Sequence, residues 1–341
     1  MAVYIHIEKT LICTLSEKLK IYFAGSGKIA VPVLEALINA PEIEVVGVGT
    51  QPDRPVGRKK ILTPTPVGAA AAEKGVPLHK FENINAPEAL ETVRACAPRM
   101  MVVLSYGQLL KQPLLELPEL GCINIHGSLL PRWRGASPVQ QVLLHREKET
   151  GVCFMQMERG LDSGPVFKTF AMDIPAGCGA DKLEMMLGEL AAEHCVETLQ
   201  QISSGALTSI PQEHEKAVVC RKITREDGGI SWDMPAEHIE AMSRAFENWP
   251  GAFFRFCVDG NESVVTVNSA RVHGDMTGTP GALLTPGNRK KLIVGCGSGA
   301  LELLEVTPAG RKSMPVSAFL NGIRGEHIEF LPGIAPENKT L

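Results

Sequence analysis

Several familiar signatures are missing from this chain, and each absence narrows what it can be. No apolar run in the 341 residues reaches the length of a membrane-spanning helix, so no membrane partner is expected. Nine cysteines stand singly, at 13, 96, 122, 153, 178, 195, 220, 257 and 296, and no two have metal-ligand or redox spacing. An odd set of scattered thiols reads as reduced and buried in a cytoplasmic protein, with no metal centre. Net charge is −4, so no basic excess announces a nucleic-acid partner, and any such contact must come from local patches. Internal repeats and low-complexity tracts are missing too. The first 18 residues have neither the Arg-rich, acid-free texture of a transit peptide nor a cleavable signal layout. Tyr4 to Ile7 reads either as a short strand or as an extension outside the fold.

What is present suits a globular protein. Hydrophobic residues make up 44% and charged ones 21%, and the length allows two domains with sizeable cores. Apolar runs alternate with helical patterns. Strands are expected at 20–24, 44–48, 100–104, 121–125, 152–157 and 166–170, and helices at 29–39, 86–96, 137–146 and 183–201. Such alternation with fully apolar strands predicts an α/β domain, a Rossmann-like parallel sheet with helices on both faces. After Gly205 the texture turns polar and irregular, which reads as a linker over 206–226. A helix at 235–246 then precedes short β-rich runs at 252–258, 263–272, 281–284, 291–294 and 301–306, which suggest a small OB-like barrel. The expected plan is an extension (1–18), an α/β domain (19–205), the linker (206–226) and an OB-like domain (227–341).

The most informative segment is Asn124-Ile125-His126-Gly127-Ser128-Leu129-Leu130-Pro131, answered by Leu161-Asp162-Ser163-Gly164. Asn124 and His126 are two apart in a strand pattern, so they share one face. An amide that cannot titrate beside an imidazole that can is suited to acyl transfer: Asn can hold a developing oxyanion, and His can move a proton. Read singly, polar residues at a strand end are usually satisfied by loop backbone, and an Asp between glycines is usually a turn residue. Ser128 to Gly135 reads either as a turn with one exposed aromatic, Trp133, or as backbone groups and Leu walls that hold a flat heterocycle beside the Asn/His pair.

Two other segments leave alternatives open. Gly25-Ser26-Gly27-Lys28-Ile29-Ala30 follows a strand and matches the G-x-G-x-x-A dinucleotide pattern. However, the second strand ends at Gly49-Thr50-Gln51 without the acid that a ribose needs. The turn is either a tight glycine corner or a helix N-terminus open to a polar ligand. The loop from Gln51 to Lys60 carries Arg54, Arg58, Lys59 and Lys60 against one Asp, and its prolines keep it out of the neighbouring strands. It is either solvated surface or a basic arm for a phosphate backbone.

Taken together, the chain resembles the methionyl-tRNA formyltransferase family over about residues 19–332. The residues that carry the resemblance are Phe23-Ala24-Gly25, Thr50 to Pro55 with Gly57-Arg58, Ser105-Tyr106-Gly107, Asn124 to Pro131 with Arg134-Gly135, Thr150-Gly151-Val152, Met155, Met157 and Leu161-Asp162 with Gly164. Asn124, His126 and Asp162 alone mark the wider group of 10-formyltetrahydrofolate-using formyltransferases and hydrolases. The Gln51–Arg58 loop and the domain holding Trp249-Pro250 single out the tRNA enzyme.

The resemblance implies that Asn124, His126 and Asp162 are catalytic. It implies that Ser128, Leu129, Leu130, Pro131, Ser105, Tyr106 and Gly107 lie along the folate, and that Arg54, Arg58, Lys59 and Lys60 reach the tRNA. The implied reaction moves a formyl group from 10-formyltetrahydrofolate to the α-amine of methionyl initiator tRNA and releases tetrahydrofolate. A cytoplasmic monomer working without metal is expected. The chain departs from the family at Ser26-Gly27-Lys28-Ile29, where Thr-Pro-x-Phe is usual, at Lys59, usually Gly, and at Ser231, usually Asp. A related enzyme acting on a small amine or water, a nicotinamide-binding module and an idle tRNA-binding protein remain as rivals.

Overall fold

The computed structural model describes residues 17–57, 59–285, 288, 290–323 and 328–331. Three expectations, for residues 1–16, for Arg58 and for the tail after 331, lie outside the described residues.

The α/β domain runs β1 (Leu19–Gly25), α1 (Val31–Asn39), β2 (Ile43–Thr50), β3 (Arg54–Val56), β4 (Ile61–Thr63), α2 (Pro66–Glu73), β5 (Leu78–Lys80), α3 (Pro87–Ala95), β6 (Met100–Leu104), α4 (Gln112–Leu115), β7 (Cys122–His126), β8 (Arg134–Gly135), α5 (Pro138–Leu144), β9 (Glu149–Gln156), β10 (Val166–Asp173) and α6 (Ala180–Ser203). Its seven-stranded sheet has the order β10-β9-β7-β6-β1-β2-β5. Six strands run in one direction, five of them paired in parallel as expected, but β9 runs antiparallel to both of its neighbours, β7 and β10. The apolar run Val152 to Met155 within β9 announced burial, and burial does not encode direction.

Alternation along each strand sends neighbours to opposite faces. Ile21 and Phe23 join the larger core with α1 and α6, whereas Tyr22 and Ala24 join the smaller one with α3 and α4. In β7, Ile123 and Ile125 take the first face and Cys122 the second. Asn124 and His126 therefore point to the second face, at the C-terminal ends of the parallel strands. Strand order reverses between β1 and β6, and such a switch point opens a crevice in α/β sheets.

The second part comprises β11 (Val219–Cys220), α7 (Ala236–Ala245), β12 (Ala252–Val258), β13 (Asn261–His273), β14 (Leu292–Gly295), β15 (Ala300–Pro308), β16 (Met314–Pro315), α8 (Val316–Gly322) and β17 (Ile328–Leu331). Its antiparallel sheet has the order β14-β15-β13-β12-β17, with β16 on β15. The described strands form an open, curled OB-like sheet rather than a closed barrel, bent where the β13–β15 register shifts around Ser269. Residues 281–284 form no named strand, but run beside β14 through a Leu283–Val294 bridge and main-chain bonds such as Gly281 to Gly295. The core holds Trp232, Phe254, Phe256, Phe319 and Phe330, with ring centroids 5.2 to 5.7 Å apart. Each buried aromatic of this kind contributes about 2–3 kcal/mol.

The two parts share one apolar core. Arg244 of α7 donates to the Cys178 carbonyl at 3.0 Å, and Arg146 pairs with Glu237. No helix among the described residues is long and apolar enough to cross a membrane.

Candidate active site

A cleft of about 550 Å³ lies at the switch point, walled by Leu104 to Leu109, Asn124 to Gly127, Gly135, Val139, Asp162, Glu184 and Cys220 to Lys222. Asn124 and His126 are 9% and 6% exposed, and both face this space. Their strand is locked on both sides, by β6 and by Met155 and Cys153 of β9.

Asp162 enters from the turn between β9 and β10, with φ of 46°. Its Oδ2 accepts from the Gly135 N–H at 2.8 Å, and its Oδ1 accepts from Asn124 Nδ2 at 3.3 Å. The same Oδ2 lies 3.6 Å from His126 Nδ1. His126 Nε2 sits 2.9 Å from the Trp133 carbonyl. A carbonyl only accepts, so Nε2 carries its hydrogen, and Nδ1 is the nitrogen left to take or release a proton. One Asn124 amide hydrogen is directed at Asp162, and the second remains available to a ligand oxygen.

Gly135 admits no other residue here: its φ is 113°, and a Cβ would lie 2.2 Å from the Cys220 carbonyl. Only this close approach puts its N–H against Asp162. Across the cleft, burial pushes the Glu184 carboxyl up, aided by the negative charge of Asp181.

Ser105, Tyr106 and Gly107, which the resemblance puts along the folate, line the cleft. Ser128, Leu129, Leu130 and Pro131, which the resemblance puts along the folate, are not among its walls. Ser128 is fully buried, with its hydroxyl given to the Arg132 carbonyl at 2.7 Å. Leu129 sits over Gly151, Leu130 N–H faces Cys153 Sγ, and the Pro131 carbonyl accepts from Val218. These residues brace the strand ends beneath the site. Trp133 is neither exposed nor a cleft wall: it is 5% exposed, donates to Glu147 at 3.1 Å, and its carbonyl anchors His126.

The dinucleotide-like turn is already occupied. Ser26 and Gly27 N–H groups, which would cradle a pyrophosphate, both donate to the Ser105 carbonyl, at 3.1 and 3.2 Å. A Cβ on Gly27 would lie 2.4 Å from Ser105 Oγ, so glycine serves packing there. These contacts count against the nicotinamide rival.

Comparison with known proteins decides the family. The sequence pattern of the formyl transferase family matches residues 18–199, and that of the formyl transferase C-terminal domain matches 222–324. A methionyl-tRNA formyltransferase from Chloroflexus aurantiacus is 39% identical over 312 residues, covering 91% of this chain and 99% of that protein. This chain belongs to the methionyl-tRNA formyltransferase family.

Solved structures agree in fold. WlaRD, a sugar 3N-formyl transferase crystallised with dTDP and 5-N-formyl-THF, superposes with a TM-score of 0.60 at 16% identity, over 87% of this chain and all of that one. HypX from Aquifex aeolicus in complex with tetrahydrofolic acid gives 0.57 at 15% identity over 91% of this chain, which spans about half of HypX (49%).

The basic segment of this family member is a hairpin rather than a plain loop, because β3 and β4 pair through Pro55 and Leu62. Arg54 is tied to Glu82 at 2.7 Å. Lys59 and Lys60 are exposed and make no ion pair among the described residues.

Sequence reasoning missed the segment at 206–226. It is docked rather than loose: Ile210 bridges Val166, Val219 and Cys220 pair with Arg134 and Gly135, and Gln212 is buried. It supplies Cys220, Arg221 and Lys222 to the cleft wall. Its only signal was Gly205-type punctuation followed by polar residues, which a solvated linker shares.

Proposed function

We propose that this chain transfers the formyl group of 10-formyltetrahydrofolate to the α-amine of methionyl initiator tRNA, in the cytoplasm, for translation initiation. The observation that carries the reading is the convergence of Asn124, His126 and Asp162 on one cleft, with Nδ1 of His126 facing the carboxylate. The name borne by the Chloroflexus relative supports the acceptor.

In this reading the amine nitrogen attacks the formyl carbon and gives a tetrahedral oxyanion. Asn124 donates its second amide hydrogen to that oxygen, worth about 100- to 1000-fold in turnover. His126 Nδ1 takes the proton from the attacking nitrogen and returns it to the folate nitrogen as the C–N bond breaks. Such proton transfer is worth about 100- to 10,000-fold. Asp162 holds the imidazole in place and offsets its positive charge. The apolar walls at Leu104 and Val139 and the segment Ser105 to Gly107 flank the folate. The hairpin carrying Arg54, Lys59 and Lys60, together with Arg58, reaches the acceptor end of the tRNA.

A formylation assay with 10-formyltetrahydrofolate, run on methionyl initiator tRNA, free methionine and no acceptor, tests this directly. Formylated tRNA is expected, and it should be lost in His126→Ala. Folate turnover without tRNA formylation would move the acceptor to water or a small amine and reduce the hairpin to ordinary surface.

A further inference from the structure

We propose that Gln212 is a positioning residue for this site, holding the Asp162 turn and Arg134 in the geometry that His126 requires. The inference rests on the catalytic reading above and extends it to the segment that leads into the second domain.

Gln212 is 8% exposed, although Pro211 and Glu213 on either side are open to solvent. Its amide is fully used. Nε2 donates to the carbonyls of Asp162 and Gly164, at 2.9 and 2.7 Å. Oε1 accepts from Arg134 Nε and Nη2, at 3.0 and 2.7 Å. A Gln has two donor hydrogens and one carbonyl oxygen, so nothing is left over for solvent or ligand.

The two groups it grips are the two that set the carboxylate. Asp162 sits at positive φ, a conformation that a non-glycine residue keeps only when its surroundings enforce it. The two carbonyl contacts from Nε2 enforce it from below. Arg134 is followed by Gly135, whose N–H holds Asp162 Oδ2. Fixing the Arg134 side chain thus fixes the strand that presents that N–H. Arg134 is 6% exposed and forms no ion pair among the described residues; His214 Nδ1, 3.2 Å away, is its other side-chain partner. A buried guanidinium satisfied by neutral acceptors depends heavily on each of them. One side chain therefore frames the Asp162 carboxylate through both the Asp162 backbone and the strand that supplies its hydrogen-bond donor, while not itself walling the cleft.

The test is a double-mutant cycle on the full chain with Gln212→Leu, Asp162→Asn and both together, read on tetrahydrofolate release with methionyl initiator tRNA present. Gln212→Leu is expected to lower kcat by about 10-fold or more with folate KM within about twofold, and the double variant should be no slower than Asp162→Asn alone, since coupled residues are non-additive. Gln212→Glu keeps the acceptor for Arg134 but loses the donors to the turn, so it is expected to be as slow as Gln212→Leu. It replaces that variant in the cycle if the leucine protein does not fold. A kcat within twofold of wild type for both Gln212 variants, or losses that multiply in the double variant, would overturn the proposal. Because the readout is folate release, the cycle decides Gln212 even if the acceptor proves to be water, and if it proves to be a small amine the same cycle is read with that amine in place of the tRNA; either outcome would break only the functional reading.

Discussion

Two carboxylates in this molecule each sit beside a histidine, and their surroundings differ. Glu302 on β15 is 5% exposed and faces His273, Arg271 and Lys291, at 2.8, 3.3 and 3.7 Å. The His273 hydrogen bond, with help from Lys291 and Arg271, holds its carboxyl below the usual range despite burial. Asp162 is 16% exposed at its side chain and is held by neutral donors, the Gly135 N–H and the Asn124 amide, with His126 as its titratable neighbour. A carboxylate faced by two cations and hydrogen-bonded to a histidine has its charge committed to structure. One held by neutral donors keeps its charge for the imidazole beside it. A His–carboxylate contact alone would have flagged both sites. The identity of the remaining partners separates them.

The sharpest way to break this comparison is to remove charge or proton capacity on each side. Asn124→Ala is expected to cut kcat by about 100- to 1000-fold and His126→Ala by about 100- to 10,000-fold, while folate affinity changes little. Equal losses in kcat and affinity would turn both residues into binding groups. Asp162→Asn should cost about 100-fold in kcat, because the imidazole loses the charge facing it, whereas Glu302→Gln should leave kcat within about twofold. Steady-state kinetics on both variants decides it: comparable losses would mean that the two environments are not functionally distinct.

The same contrast applies to cations. Arg271 and Lys291 spend their charge on Glu302, whereas Lys59 and Lys60 have no ion partner among the described residues. Lys59→Ala and Lys60→Ala, like Arg58→Ala, should raise the tRNA KM by about 3- to 10-fold each, flatten its salt dependence and spare folate KM, and Arg271→Ala should do less. Binding that does not weaken between low and moderate salt would sink a phosphate role for the hairpin.

How much of this was legible in the sequence depended on whether side chains or backbone carried the signal. Met100 to Leu104 reads as a strand at both ends because all five residues are apolar and buried. Asn124 and His126 were placed on one face by the period of two alone, and that placement held. The 206–226 segment was illegible because its attachment is main chain: Val218 to Pro131, Arg134 to Val218 and Ala136 to Cys220. Backbone bonds leave no periodic imprint, and one buried Gln among exposed polar residues looks like its neighbours. The direction of β9 and the pairing of β17 are choices of topology that composition does not encode. The packing of the Ser128–Pro131 run was illegible for a related reason: its partners, the Arg132 carbonyl, Gly151 and Cys153, are matters of backbone and close approach.

The smallest expected effect concerns stability and acid. The folded-state pKa of Glu302 is depressed, so its contribution is fully present above the ordinary glutamate value of 4.5 and fades as pH falls through the lower folded value. Replacing it with Gln keeps the shape and loses the charge, leaving Arg271 and Lys291 facing a neutral amide in a nearly dry position. At neutral pH this should cost about 1–2 kcal/mol, within the range for weakening a buried, charge-assisted contact. Thermal melts of wild type and Glu302→Gln at pH 7 should therefore differ by a few degrees, and the gap should close as the pH drops below the usual carboxylate range. Asp162→Asn should show no comparable gap at pH 7, because its amide oxygen can still accept from the Gly135 N–H while Asn124 turns its own oxygen toward the new amide group. A gap for Glu302→Gln that persists unchanged into acid would mean that packing, not charge, is what the cluster provides, and the two carboxylates would then differ only in what lies over them.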